Sequence, residues 1–514
     1  MTLNYDTCSP VFRPATVTSI DLPPRAVQFE PEFGKGIELT TQSPEAPALP
    51  EHYREILVLM KEGRRKVAEE RCRTFLADAP TDADLMALLA SIVVERGEIR
   101  EAETLLGRAI ALAPTEPVPW INLGRILQQG GRWGEAITHY EHAVNLFPTH
   151  PQLVATLGQL YQRANRFADA EKQYRAAIEN GAKPAIHVQL GMVLLRQDRV
   201  DDAIDAFNTA IRLNPKLAAA YGNLGNALQK KNDMPAAAAA YEKAVALNPK
   251  DTISFVSLGM AQLKLGQARD AVEVFERALA LHGPERRAAA WLPYARAQEF
   301  GEMPAGYRAE IAELVSRQPL EVPEGYASMA ELNAALAAAL EEDPTTVWEP
   351  RGKATRKGGQ TGLLLDAPRE PFIAFEKVLR KAIDAHFDGI KIQPRHPYRG
   401  MVPKTYHLDL WGTLLSEGGH QHSHIHVGGW MSGVYYVSLP ATLGSGGESK
   451  DGWIEFGHPP PEFEAVFEPQ TVTYEPREGD AFFFPSYLFH RTLPFTGEER
   501  RISLAFDVKP TSWR

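Results

Sequence analysis

The sequence predicts a multidomain α and β chain, an α-solenoid followed by a double-stranded β-helix (jelly-roll) domain. Three observations carry this. The chain matches itself at a step of about 34 residues between positions 84 and 284, it changes after about residue 345 to short β-rich segments bounded by Gly or Pro, and those segments hold a histidine constellation. With 514 residues, 44% apolar and 23% charged, there is material for two to four domains. A net charge of −10 opposes a dominant role in gripping nucleic acid or anionic lipid. No apolar run approaches the roughly 20 residues that span a bilayer, and the first 30 residues lack a signal-peptide core, so the expected location is cytoplasmic. Only Cys8 and Cys72 are present, so a metal would have to be held by His and carboxylate.

Residues 1–50 carry eight prolines without a sustained hydrophobic period and are expected to form a disordered arm. Helical texture begins near 52, and residues 51–284 form the expected solenoid. Leu-Gly recurs at Leu123-Gly124, Leu157-Gly158, Leu190-Gly191, Leu224-Gly225 and Leu258-Gly259. Ala136, Ala170, Ala203, Ala237 and Ala271 keep the same pace, each followed four positions later by Tyr140, Tyr174, Phe207, Tyr241 and Phe275. Small residues let two antiparallel helices approach while the aromatic fills the gap beside them, and no single pair can bury its own face. In these residues the chain resembles the tetratricopeptide repeat family.

Residues 285–344 lose the Leu-Gly signature and are expected to cap the solenoid or bridge to the next domain. In 345–514 the predicted strands are Gly389 to Ile392, Tyr406 to Leu415, Met431 to Leu439, Trp453 to Phe456, Val472 to Tyr474, Ala481 to Phe484 and Ile502 to Val508, preceded by a helix over Pro371 to Phe387.

The chemistry concentrates here. Gly418 to Gly433 places His420, His422, His424 and His426 at period two, which on a strand turns them to one side. His490 follows a strongly apolar strand, and Arg501-Ile502-Ser503 opens the last one. Two same-side ligands and one distant partner suit a facial metal triad with open positions. An arginine fork with a serine on the same face suits the far carboxylate of an organic co-substrate. Tyr435 and Tyr436 must face opposite sides of their strand, one in the core and one on the pocket. Alternation alone does not choose between them, and Tyr435 is carried as the pocket residue.

His424-Ile425-His426-Val427 followed by Ser432-Gly433-Val434-Tyr435-Tyr436 resembles the HxHPxxxxSGVYY motif of a bacterial and phage branch of the 2-oxoglutarate and Fe(II)-dependent oxygenases, with valine for the proline. Gly359-Gln360-Thr361 and Phe484-Pro485-Ser486 extend the resemblance, which runs from about Leu332 to Val508. It implies a dioxygenase using Fe(2+), 2-oxoglutarate and dioxygen, with His424, His426 and His490 on the metal and Arg501 with Ser503 on 2-oxoglutarate. The wider superfamily has a carboxylate where this chain has His426, so His422, Glu448, Asp451 and Glu455 stand as alternative third ligands.

Fusion to repeats implies a protein or peptide substrate held in the repeat groove. Counting from the Leu-Gly register, the groove-facing positions are expected to include Gln128, Gln162, Arg163, Met192, Leu195, Arg196, Gln229, Lys230, Met260, Leu263 and Lys264, with no acidic residue among them. Two other functions fit parts of the pattern. A cupin-type metalloprotein or isomerase would share the jelly roll but needs a glutamate where Trp430 and Met431 stand, and a non-catalytic scaffold would need neither His490 nor Arg501.

Overall fold

The computed structural model describes residues 50–513, except 283–284, 351, 394–395 and 444–448. The arm expected over residues 1–50 thus lies, but for Pro50, outside the described residues. The described chain forms two compact units, one running to Ala227 and one from Leu228 to Arg514.

The first unit contains α1 (Glu51–Lys61), α2 (Arg65–Asp78), α3 (Ala83–Glu95), α4 (Ile99–Leu112), α5 (Pro117–Gln129), α6 (Trp133–Leu146), α7 (Pro151–Arg163), α8 (Phe167–Glu179), α9 (Ala185–Arg196), α10 (Val200–Leu213) and most of α11 (Ala218–Lys230). Pro117 and Pro151 open their helices, where a missing N–H is no loss, and Asp82 caps α3 by accepting from the Leu85 N–H. Beyond the first helix of each pair the backbone turns through positive φ at Gly63, Gly97, Gly131, Asn165 and Asp198. These are the residue types that enter the left-handed region at least cost, and their spacing extends the repeat back to α1. Gly124, Gly158, Gly191 and Gly259 are close-approach sites: a Cβ on Gly158 would lie 2.8 Å from the Tyr174 ring, and one on Gly191 2.5 Å from the Phe207 ring. Both rings are fully buried, which contributes roughly 2 kcal/mol each.

The second unit begins inside the repeats, with α12 (Met234–Leu247), α13 (Thr252–Lys264), α14 (Ala268–His282) and α15 (Arg286–Phe300), and continues through α16 (Tyr307–Leu314), β1 (Ser316–Pro319), α17 (Met329–Glu341), β2 (Val347–Trp348), β3 (Thr355–Gln360) and α18 (Phe372–Gly389). The remaining strands are β4 (Pro403–His424), β5 (Met431–Ser438), β6 (Ile454–Phe456), β7 (Val472–Tyr474), β8 (Asp480–Pro485), β9 (His490–Thr492) and β10 (Arg501–Trp513). All pairings are antiparallel in the order β1-β8-β5-β10-β4-β9-β6-β7, with β3 also on β4 and β2 on β3. The long β4 pairs with β10, β3 and β9 along its length, which curls the sheet into the jelly roll.

Two expectations are corrected. Residues 285–344 are no mere cap or linker, because β1 completes the sheet edge beside β8, Asn333 of α17 bonds Tyr435, and Tyr294 of α15 donates to the Gly457 carbonyl at 2.9 Å. The boundaries at 284 and 344 therefore do not separate compact units. Gly389 to Ile392 is not a strand: α18 runs through Gly389 because Phe387 is needed in the core, and coil follows.

One sheet face carries Leu408, Leu410, Tyr435, Phe483, Leu504 and Phe506 into a core shared with α17 and α18. The alternation of β10 sends Arg501, Ser503 and Asp507 to the opposite face, which becomes the inside of the roll.

Candidate metal and co-substrate centre

The hairpin register builds the metal-binding cluster. His424 at the end of β4 sits directly across from His490 on β9, after a bulge that separates this pair from Gln421 and Thr492. His426 lies just past the strand, its N–H held by the Ser486 carbonyl at 2.8 Å. One ligand nitrogen from each of His424, His426 and His490 falls within 4.8 Å of the others. Their ring centroids are 4.3 to 5.1 Å apart. The bulge also corrects the expectation that four histidines share one strand face. His420 and His422 pack on each other, with ring centroids 4.8 Å apart, and His422 is not in the cluster. Glu455 is engaged by Arg491, Asp451 is outside the cluster, and Glu448 lies outside the described residues.

Each ring has one nitrogen occupied. His424 Nδ1 is 2.8 Å from the His422 carbonyl, and His490 Nδ1 is 3.0 Å from that of Leu488. His426 Nδ1 is 2.7 Å from Asp507 Oδ1. All three thus leave Nε2 for a metal. Burial, with His426 adding to it, pushes His424 down to about 3, and burial with its two histidine neighbours holds His490 well below the ordinary range. Burial alone would raise the Asp507 carboxyl, but His426, Ser432 and Lys509 hold it below its usual value.

Arg501, at the start of β10, is buried on the inner face of the roll. Among the described residues its Nε and Nη1 have no hydrogen-bond partner, and neither do Thr413 Oγ1 and Tyr436 Oη. These atoms share one region: Ser503 pairs with Thr413 on one side and Tyr436 on the other, and the Arg501 guanidinium lies 5.0 Å from the Tyr436 ring centre. Burial lowers the Arg501 guanidinium, with the neighbouring Tyr436 hydroxyl acting in the opposite direction. An orphaned buried fork with two orphaned hydroxyls fits a bidentate carboxylate that also accepts from neutral donors.

Tyr435 is the correction here. It is buried on the helix side, its hydroxyl donates to Asn333 Oδ1 at 2.6 Å and its ring packs on Phe375, so Tyr436 is the tyrosine that faces Arg501. Sequence reasoning also missed Thr413 and Asp507. Both keep the period of the named residues, Asp507 lying six positions beyond Arg501, but only the strand register reveals which partners they meet. Trp430 and Met431, where a cupin glutamate would stand, are buried core residues, Trp430 stacking on Tyr398.

A family model described as "Putative 2OG-Fe(II) oxygenase" matches residues 409–507, and tetratricopeptide repeat models match 59–126, 117–181, 155–218, 188–252 and 256–304. The chain thus carries tetratricopeptide repeats followed by a C-terminal region that matches the 2OG-Fe(II) oxygenase model. Similar solved structures include repeat proteins. YrrB, described as a TPR protein with an unusual peptide-binding site, is 18% identical over 36% of this chain and 95% of its own, with a TM-score of 0.31. MamA is 26% identical over 31% of this chain and 93% of its own, with a TM-score of 0.29. The C-terminal part of a TPR repeat-containing protein from Cytophaga hutchinsonii is 17% identical over 46% of this chain and 98% of its own, with a TM-score of 0.39. No curated protein matches the chain. Among the described residues no helix is long and apolar enough to cross a membrane.

The repeat-groove expectation is corrected in part. Gln128, Gln162 and Gln229 bond the hydroxyls of Tyr140, Tyr174 and Tyr241 at 3.1 to 3.2 Å, so these amides serve their own repeats. Met260 and Leu263 are buried, and Arg163 stacks 3.8 Å over the Trp133 ring.

Proposed function

We propose that the oxygenase domain is a 2-oxoglutarate- and Fe(II)-dependent dioxygenase that hydroxylates a protein or peptide recruited by the repeats. The observation that carries this reading is the buried Arg501 fork, whose Nε and Nη1 have no hydrogen-bond partner among the described residues, with Tyr436 against it and Ser503 and Thr413 paired next along the strands, in a domain that also holds a three-histidine cluster. His424, His426 and His490 would hold iron through Nε2. Arg501 would take the distal carboxylate of 2-oxoglutarate bidentately, with Thr413 and Tyr436 donating to it. With iron and 2-oxoglutarate in place, the centre supplies oxidative decarboxylation of 2-oxoglutarate to succinate and carbon dioxide, coupled to insertion of one oxygen atom of dioxygen into a substrate C–H bond. The chain's own part is to bind and orient these groups and exclude water. Phe456 and Phe484 pack on the His490 ring and form an apolar wall behind it.

The cupin and scaffold readings both predict no succinate. Purified, iron-loaded protein given 2-oxoglutarate and oxygen should form succinate, and its absence would refute the dioxygenase. Recruitment by the repeats rests on the general use of such solenoids for peptides. Charge reversal at Arg196 should weaken peptide capture and coupled hydroxylation while leaving uncoupled succinate formation in place. Survival of both capture and coupling would remove the repeats as the reading surface.

A further inference from the structure

The three histidines are not held alike. His424 and His490 each rest Nδ1 on a backbone carbonyl two residues earlier, a neutral contact within their own segment. His426 reaches across the roll to a carboxylate 81 positions away, Asp507, whose same oxygen also accepts from Ser432 Oγ at 2.6 Å. Asp507 is 8% exposed and Ser432 fully buried, so this contact is shielded from water. The chain is shaped around it: a Cβ on Gly429 would lie 3.2 Å from both Cγ and Oδ1 of Asp507, so glycine there leaves the carboxylate its place. Ser432, the serine of the Ser-Gly-Val-Tyr-Tyr run, thereby acquires a role beyond the fold.

From this we infer that Asp507 is the positioning residue of the metal centre, supplying from behind His426 the negative charge that an all-histidine triad lacks and fixing that ring with Nε2 outward. The inference rests on the reading of the triad as a metal site. A dication on three neutral imidazoles keeps its full charge, whereas a buried carboxylate on Nδ1–H offsets one unit and makes that imidazole a stronger donor. The carboxylate that the wider superfamily places on the metal is here one ring further out.

Co(II) titration of the metal-free full-length chain, followed by visible absorption and chelator competition without 2-oxoglutarate or oxygen, tests this. Asp507→Asn should weaken Co(II) binding about 10- to 100-fold and shift the visible bands. In a His426→Ala background the same change should alter affinity less than about twofold, which a general structural role for Asp507 would not produce. Wild-type affinity and bands in Asp507→Asn would overturn the inference. So would His426→Ala retaining affinity while Asp507→Asn abolishes it, since Asp507 would then be a ligand itself. A wild-type chain that takes up no Co(II) would remove the metal centre and this inference with it. A second measurement needs no variant to fold. In the Zn(II)-loaded, histidine-15N-labelled wild-type chain, the His426 ring should carry its proton on Nδ1, and a proton on Nε2 would overturn the assignment.

Discussion

The repeats and the sheet domain use opposite strategies with the same residue types. In the repeats one packing solution recurs, so every important residue has counterparts about 34 positions away. In the sheet domain each interior residue occurs once and acquires meaning from a partner far along the chain. The contrast is clearest in the tyrosines. Tyr140, Tyr174 and Tyr241 each meet a glutamine twelve positions earlier, whereas at Phe207 and Phe275, which have no hydroxyl to satisfy, the twelfth position back holds Leu195 and Leu263. Gln goes with Tyr and Leu with Phe. No internal rule of this kind distinguishes Tyr435 from Tyr436: one serves Asn333 and the core, the other faces Arg501.

The largest effects should come from residues that occur once. His490→Ala should abolish metal uptake, at least about 100-fold in affinity, with little change in the thermal midpoint of the metal-free chain. Near-normal uptake would mean that His490 is not a ligand. Next is a repeat change, Gly191→Leu. It drives a side chain into the Phe207 ring and should cost about 3 kcal/mol in denaturant unfolding, partly recovered in a Phe207→Ala background. Additive losses would show that close approach is not the reason for glycine.

The paired tyrosines sharpen the comparison within one strand. Tyr435→Phe should lose about 1 to 2 kcal/mol of stability, because buried Asn333 loses its donor, and leave the 2-oxoglutarate requirement unchanged. Tyr436→Phe should do the reverse, raising that requirement several-fold at little cost in stability. Equal behaviour of the two would contradict the assigned faces. Smaller still is the cycle Gln162→Leu and Tyr174→Phe. Each single change should cost about 1 kcal/mol and the pair almost nothing, because the double variant reproduces the Leu-Phe combination of the next repeat.

An acid dependence also belongs to the sheet domain. His386, stacked on Phe483 and bonded to Tyr398 Oη at 2.9 Å, is pushed down by burial to about 4. The unfolded chain binds this proton at about 6.5, so the folded state loses stability as pH falls from 6.5 toward 4, on the order of 3 kcal/mol. His386→Gln should flatten that part of the pH profile of the thermal midpoint. An unaltered profile would show that His386 does not titrate as placed.

These contrasts explain what was legible in the sequence. The solenoid, most strands and the histidine cluster could be read because periodicity and a local motif carry them. Residues beyond that needed pairings invisible along the chain. A bulge between Gln421 and His424 decides that His422 is out, β1 is too short and polar to announce itself, and Asp507 meets His426 only through the register of β10. The groove expectation failed at Gln128, Gln162 and Gln229 because helical position alone cannot separate a solvated amide from one turned toward a neighbouring helix.

The central claim is that Arg501 waits in the roll for the far carboxylate of 2-oxoglutarate. Its most direct test is a 2-oxoglutarate titration of anaerobic, iron-loaded wild-type and Arg501→Lys proteins, with iron content measured in both. The lysine keeps the charge but loses the planar fork. The account predicts that iron content stays nearly intact while the concentration of 2-oxoglutarate needed for half-saturation rises by at least about tenfold. An Arg501→Lys protein that retains iron and titrates like wild type would contradict it.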